Sequence, residues 1–419
     1  MRLQLNRFSI GIGDRFGRQG QAQLEAIMKA RDAGIDLDPV WNKSHREHSI
    51  IGTSPADVRH EADAAVRAKG YKGHYFVDAD HINLKNVDEF IQPCDFFTID
   101  VADFIGVPAE TQDIEGFVKR HADLCGSIEI PGLDSPLKVD MDQIRAAASR
   151  FLAAVRQAGR IYRYILSRKG QGRFITEVSM DEADRPQGPV ELLLILAGLA
   201  DEGIPVQTIA PRFSGRFNKG VDYVGDLIRF QAEFGGDVAV VGYAQGRFGL
   251  PDGLKLSIHS GSDKFSIYPL IKAILARTGA GLHLKTAGTT WLEELTCLAQ
   301  AGGEGLAIAR QIYAQALDQM AELCRPYATV INIDPGRLPS AGEVAGWSAD
   351  RFAMAIRHDP TCPGFNPHMR QLMHVAYRLA AQIGRRFLDA LDANSQQIAQ
   401  AVTYNLLERH IRAVFPVSG

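Results

Sequence analysis

Asp78-Ala79-Asp80-His81 follows directly on Tyr75-Phe76-Val77, so two carboxylates and an imidazole stand at the end of a run suited to burial. Side chains two apart share one face of a strand, which puts Asp78 and Asp80 together. Asp80 reads as a general base or as a cap for the helix that follows. His81 reads as a metal ligand or as a group that orients a substrate. Three further polar residues interrupt apolar runs: Glu177 in "ITEVSM", His259 in "LSIHSG" and His283 in "LHLKTA". Each alone is compatible with a satisfied polar residue in a hydrogen-bonded layer. Together they read as ligands for a divalent cation such as Zn²⁺, Mn²⁺ or Ni²⁺, because burying all three unpaired is costly. "NKSHREHS" gathers Lys43, His45, Arg46 and His48 in one short loop, which reads as an anion clamp or as a solvated loop. "SGSDKFS" places Asp263 and Lys264 at an expected helix start, where free N–H groups attract an anion.

The elements that must position these groups alternate in type. Short β-branched or aromatic runs are separated by runs of helical period. Eight strands are expected, near residues 8–13, 39–43, 74–77, 95–102, 173–180, 206–213, 254–260 and 281–288. Such alternation implies a parallel sheet, and eight repeats imply a closed (β/α)₈ barrel of the TIM type. The barrel is expected over residues 1–300, with a helical insertion near 103–170 and a helical extension over 301–419. "DVAVVGYAQ" looks like a further strand and has no place in this count. In such a barrel the strand ends carry the chemistry. They hold Asp14, Arg15, Lys43, His45, Arg46, Asp78 and Arg212, read as substrate-binding, besides the groups above.

Composition narrows the class. The 419 residues are 46% hydrophobic and 23% charged, with a formal net charge of −3, so no basic nucleic-acid surface is expected. No 18-residue apolar run or signal-type h-region occurs, and the five cysteines lack CxxC spacing. A cytoplasmic protein is expected. The composition is compatible with a homo-oligomer.

"FSIGIGDRFGRQG", "PVWNKSHREHSIIGT", "YFVDADHINL", "DFFTIDVA" and "LSIHSGSDKFS" together resemble the tagaturonate epimerase family. The likeness covers about residues 8–290 and extends into "PHMRQLMHVAYRLA". It implies a metal-dependent barrel enzyme that interconverts two sugar acids, D-tagaturonate and D-fructuronate, by inversion at C4. The metal role falls on Glu177, His259 and His283, with His81 as a fourth candidate. The C4 hydrogen lies β to the C2 ketone and is not acidic, so simple deprotonation does not invert C4. Retro-aldol cleavage of C3–C4 does. Asp80 or Glu61 would then take the C4 hydroxyl proton, Lys264 or Lys285 would face the developing oxyanion, and Lys43 and Arg46 would hold the carboxylate. Transient oxidation by a bound dinucleotide would also invert C4, but the Gly-rich fingerprint for one is missing. A class II-type aldolase or ketose isomerase and a carbohydrate-binding barrel are the competing readings.

Overall fold

In a computed structural model, which describes residues 3–417, eight parallel strands close into a barrel. They are β1 (Phe8–Ile12), β2 (Leu37–Ser44), β3 (Phe76–Ile82), β4 (Phe96–Asp100), β5 (Ile175–Ser179), β6 (Thr208–Ala210), β7 (Lys255–Ile258) and β8 (Leu282–Leu284). β1 pairs with both β2 and β8, which closes the ring. The expected (β/α)₈ architecture is thus the observed one. The closure is tight: a Cβ on Gly11 would stand 1.6 Å from the Lys285 carbonyl oxygen, so only glycine fits there.

Period-two alternation explains what each face does. Ile10, Val77, Phe97, Val178, Ile209 and Leu284 face outward into the main core beneath the helices. Val40, Phe76, Phe96 and Ile175 join Leu5 in a separate apolar plug. Two residues further along three of those strands stand Asp78, Thr98 and Glu177, all buried. The barrel therefore changes from an apolar plug to a polar layer within one repeat of the pleat.

Strand β3 is longer than expected, so Asp78, Ala79, Asp80 and His81 lie inside it. Its register against β4 shifts between Ala79 and Ile82, and His81 has φ of 54°. A bulge of this kind re-aims a side chain that alternation would send outward.

Two helical readings change. "DVAVVGYAQ" is not a strand but part of the helix Leu227–Phe248. Its buried residues Phe230, Phe234, Val238, Val241 and Ala244 recur at helical spacing, which outweighs the β-branched composition. The helix expected to open at Ser262–Lys264 begins at Tyr268, so Asp263 and Lys264 lie in the turn before it. The segment 103–170 is mainly helical, with irregular stretches and a small two-stranded ribbon, Gly126–Ile128 with Leu137–Val139. Its long helix, Met141–Lys169, leads into β5.

The C-terminal helices have their own core, centred on Trp291, Tyr313, Phe352, Tyr377 and Phe387. The last turns return to the barrel, where Phe415 packs against Phe8 with ring centroids 5.1 Å apart. A π-helical stretch, Asn405–Ile411, immediately precedes this return. Asn405 donates to the Gly288 carbonyl at 2.7 Å, and His410 Nε2 accepts the Asp263 N–H at 3.2 Å. The loops after β7 and β8 are thus held from the C-terminal end. No helix among the described residues is long and apolar enough to cross a membrane.

Candidate active site

The C-terminal mouth of the barrel opens into a cavity of about 840 Å³. On its wall the ligand atoms of His81, Asp181 and His259 lie within 4.8 Å of one another. His259 Nδ1 is 3.3 Å from Asp181 Oδ2, and His81 Nε2 is 3.7 Å from Asp181 Oδ1. The other ring nitrogen of each histidine is held by a carboxylate. His259 Nε2 donates to Glu177 Oε1 at 2.9 Å, and His81 Nδ1 donates to Asp80 Oδ1 at 2.7 Å. Carboxylates behind both imidazoles fix ring orientation and raise basicity, the usual support for metal-bound histidine. Two imidazoles with one carboxylate form a donor set suited to a divalent transition metal.

The electrostatics fit the same reading. Burial works against charge on the His81 and His259 rings, but the neighbouring carboxylates overcome it and raise both pKa values. Burial likewise opposes ionisation of Asp181, yet His259 and His81 hold it well below the usual carboxylate range. A divalent cation between them would take the place of the ring protons and keep the Asp181 carboxylate as its counter-charge.

Beneath them lies Lys285, surrounded by carboxylates. Its Nζ donates to Asp78 and Thr98 and lies 3.1 Å from Glu177 Oε1 and 3.3 Å from Asp80 Oδ1. Burial alone would lower its pKa, but Asp78 and Glu177 raise it well above the ordinary lysine value. Lys285 is a fixed cation. Glu177 Oε2 also accepts from Thr208 at 2.7 Å, so the polar layer is satisfied across four strands.

The four metal candidates from the sequence thus separate. His81 and His259 converge, Glu177 supports His259 from behind, and His283 lies deeper. His283 Nδ1 is 2.9 Å from Ser9 Oγ, the ring packs against Phe96, and burial drives its pKa down to about 3. It does not line the cavity. Asp181 was not read from the sequence. Its signal was the continuation of period two past the strand end, through Glu177, Ser179 and Asp181.

The other candidates divide between wall and scaffold. Asp14 accepts the N–H groups of Phe16, Gly17, Arg18 and Gln19, which shapes the loop after β1. Arg15 pairs with Glu47 at 2.9 Å and stacks over Tyr377. Lys43 Nζ donates to the Arg15 carbonyl at 3.0 Å. Arg46 donates to the Pro326 carbonyl at 2.8 Å, and the half-buried His45 lies 3.7 Å from Glu89. Arg212 donates to the Ala183 carbonyl. Glu61 does not line the cavity; it is half-buried behind the loop after β1, beside Gly17 and Gly20, where burial and Asp14 raise its pKa. Lys264 spends its three donors on the carbonyls of Asn218, Val221 and Ser262 at 2.7–2.9 Å, and burial pulls its pKa down to about 7. That bonding ties two loops together and replaces the expected anion site at a helix start.

Among the further wall residues without a counterpart in the sequence reading are Lys219 and His374. Lys219 comes from the loop after β6 and His374 from the C-terminal helices. Neither lies on a strand, so period two gave no sign of them.

Comparison with known proteins gives one family. The tagaturonate epimerase family matches residues 1–414. The chain is 28% identical over 423 residues to a tagaturonate/fructuronate epimerase of Thermotoga maritima, covering 97% of this chain and 80% of that protein. The glycerol-complexed crystal structure of a fructuronate-tagaturonate epimerase from Cohnella laeviribosi has a TM-score of 0.80 at 23% identity, over 99% of this chain and 82% of that one. The native structure of that protein gives 0.79 at 22% identity, with the same coverage. These two show the same fold.

Proposed function

Because the chain belongs to the tagaturonate epimerase family, we propose that it interconverts D-tagaturonate and D-fructuronate by inversion at C4 in the barrel-mouth cavity. The observation that carries the reading is the convergence of His81, Asp181 and His259, each histidine backed by a second carboxylate. These three would hold a divalent cation, which supplies positive charge for the oxygens of an enediolate. Glu177 keeps the His259 ring turned to that position. Lys285 adds a fixed positive charge in the cavity wall.

The remaining work belongs to proton handling and positioning. Asp80 lines the cavity, and its pKa lies well below the usual range because His81 and Lys285 overcome the effect of burial. In this reading its carboxylate, held between His81 and Lys285, takes the proton of the C4 hydroxyl as the C3–C4 bond breaks. The electron pair of that bond passes into the C2–C3 enediolate. The aldehyde fragment turns its other face, the bond re-forms, and Asp80 returns its proton to the C4 oxygen. Arg15, Arg46 and Lys43 line the same cavity and add positive charge to its wall, though Arg15 is paired with Glu47 and the other two are bonded to backbone carbonyls. In this reading residues 301–419 form an extension that supplies part of this wall, through Tyr327 and His374.

Substrate deuterated at C4 tests the chemistry. Conversion in ordinary water, followed by NMR, is expected to keep the label without a primary isotope effect, since that C–H bond stays intact. Washout of the label means deprotonation, and a primary isotope effect means oxidation; either removes the cleavage mechanism.

A further inference from the structure

Lys219 is set apart from the other cations that line the cavity. Arg15 is paired with Glu47, Lys264 is spent on carbonyls, and Lys285 is enclosed by carboxylates. Lys43, Arg46 and Arg212 are bonded to backbone carbonyls, and Arg216 is exposed. Lys219 Nζ instead donates to a neutral hydroxyl, Ser260 Oγ at 2.9 Å, and no carboxylate among the described residues pairs with it. Glu47, Asp80 and Asp181 act on it only from a distance. Its backbone is fixed as well: Lys219 N–H donates to the Val330 carbonyl at 2.8 Å, which joins the loop after β6 to the C-terminal extension. Gly220, with φ of 73°, packs beside His374, whose buried Nδ1 has no hydrogen-bond partner. A cation without a counter-charge and an imidazole thus line the same wall, the imidazole with its buried Nδ1 turned toward Gly220.

The geometry points to Lys219, with His374 beside it, as the group that holds the carboxylate of the sugar acid and sets the preference for acids over neutral ketoses; this rests on the sugar-acid reading above. Ser260 follows His259 directly, so the hydroxyl that holds Lys219 also ties the carboxylate position to the His81–Asp181–His259 cluster. Charge would anchor one end of the chain while the reacting carbons lie over the cluster.

The test uses two linear probes of equal length, D-gluconate and neutral D-glucitol, titrated calorimetrically into wild type and Lys219→Met. Wild type is expected to prefer gluconate, and the preference is expected to fall about 10–100-fold in the variant, the range for loss of one charge-assisted bond. Lys219→Gln serves if the Met variant does not fold. An unchanged preference in a folded variant overturns the assignment. So does a preference that survives in the variant but vanishes on chelation, because the carboxylate then sits on the metal. Failure of wild type to convert either 2-ketohexuronate would instead count against the proposed reaction, while a Lys219-dependent preference for gluconate would still stand.

Discussion

Asp181 and His283 separate two roles that their residue types do not. A carboxylate two residues past a strand end faces both imidazoles, whereas an imidazole in mid-strand faces Ser9 and Phe96. Asp181→Ala is expected to lower metal affinity by 100-fold or more, on the order of what loss of a direct ligand exceeds over loss of a supporting partner. His283→Asn is expected to leave the metal content of the purified protein unchanged, with any loss confined to thermal stability. Metal analysis of both variants decides it. Equal metal loss in both would mean that the site lies deeper in the barrel. The sequence made half of this site legible. Glu177 and His259 were readable because a polar residue inside an apolar strand needs a reason to be there. Lys219 and His374 were not, because loops and helix faces have no alternation to violate, and the period-two signal of Asp181 was easily missed because it runs past the strand end into a turn.

Elements were legible where burial left a period and illegible where composition contradicted it. The eight strands were recoverable because both of their faces are buried. The run "DVAVVGYAQ" was not, because its valines favour a strand while its buried positions follow a helix. That helix carries an anomaly at Asp237, which is buried with both carboxylate oxygens lacking hydrogen-bond partners. Burial, then Glu233, drives its pKa well above the ordinary value. The folded-state pKa therefore exceeds the unfolded one of about 3.9, so folding must protonate the group. Its penalty is absent below the unfolded pKa and grows as pH rises toward the folded one. Asp237→Val is expected to raise stability by about 1–3 kcal/mol at pH 8, with the gain shrinking toward pH 4. Urea unfolding at the two pH values measures it; a destabilised variant at pH 8 would mean that the carboxyl has a role the helix conceals.

At the scale of the molecule, the barrel and the C-terminal helices are joined through charge rather than apolar surface alone. Arg370, fully buried, donates to Asp263 Oδ2 at 3.2 Å and to the carbonyls of Gly220 and Ile356. It therefore reaches the turn after β7, the loop after β6 and its own helical layer. Arg370→Met is expected to cost about 3–5 kcal/mol, since it leaves Asp263 buried without its strongest partner. The variant is also expected to lose turnover beyond the loss of folded protein, because Gly220 adjoins Lys219. Activity normalised to the folded fraction from circular dichroism checks this; full specific activity would mean that the two loops hold without Arg370.

Phe415, near the C-terminus, packs on Phe8, near the N-terminus, and the turns just before it hold the loops after β7 and β8. During synthesis the eight strands emerge well before those turns do. A ribosome-bound chain can therefore close its barrel while the turns that hold its mouth are still untranslated. A chain cut before Asn405 would keep all eight strands but lose the bonds from Asn405 and His410 to the loops after β8 and β7, so a slack barrel mouth is its expected defect.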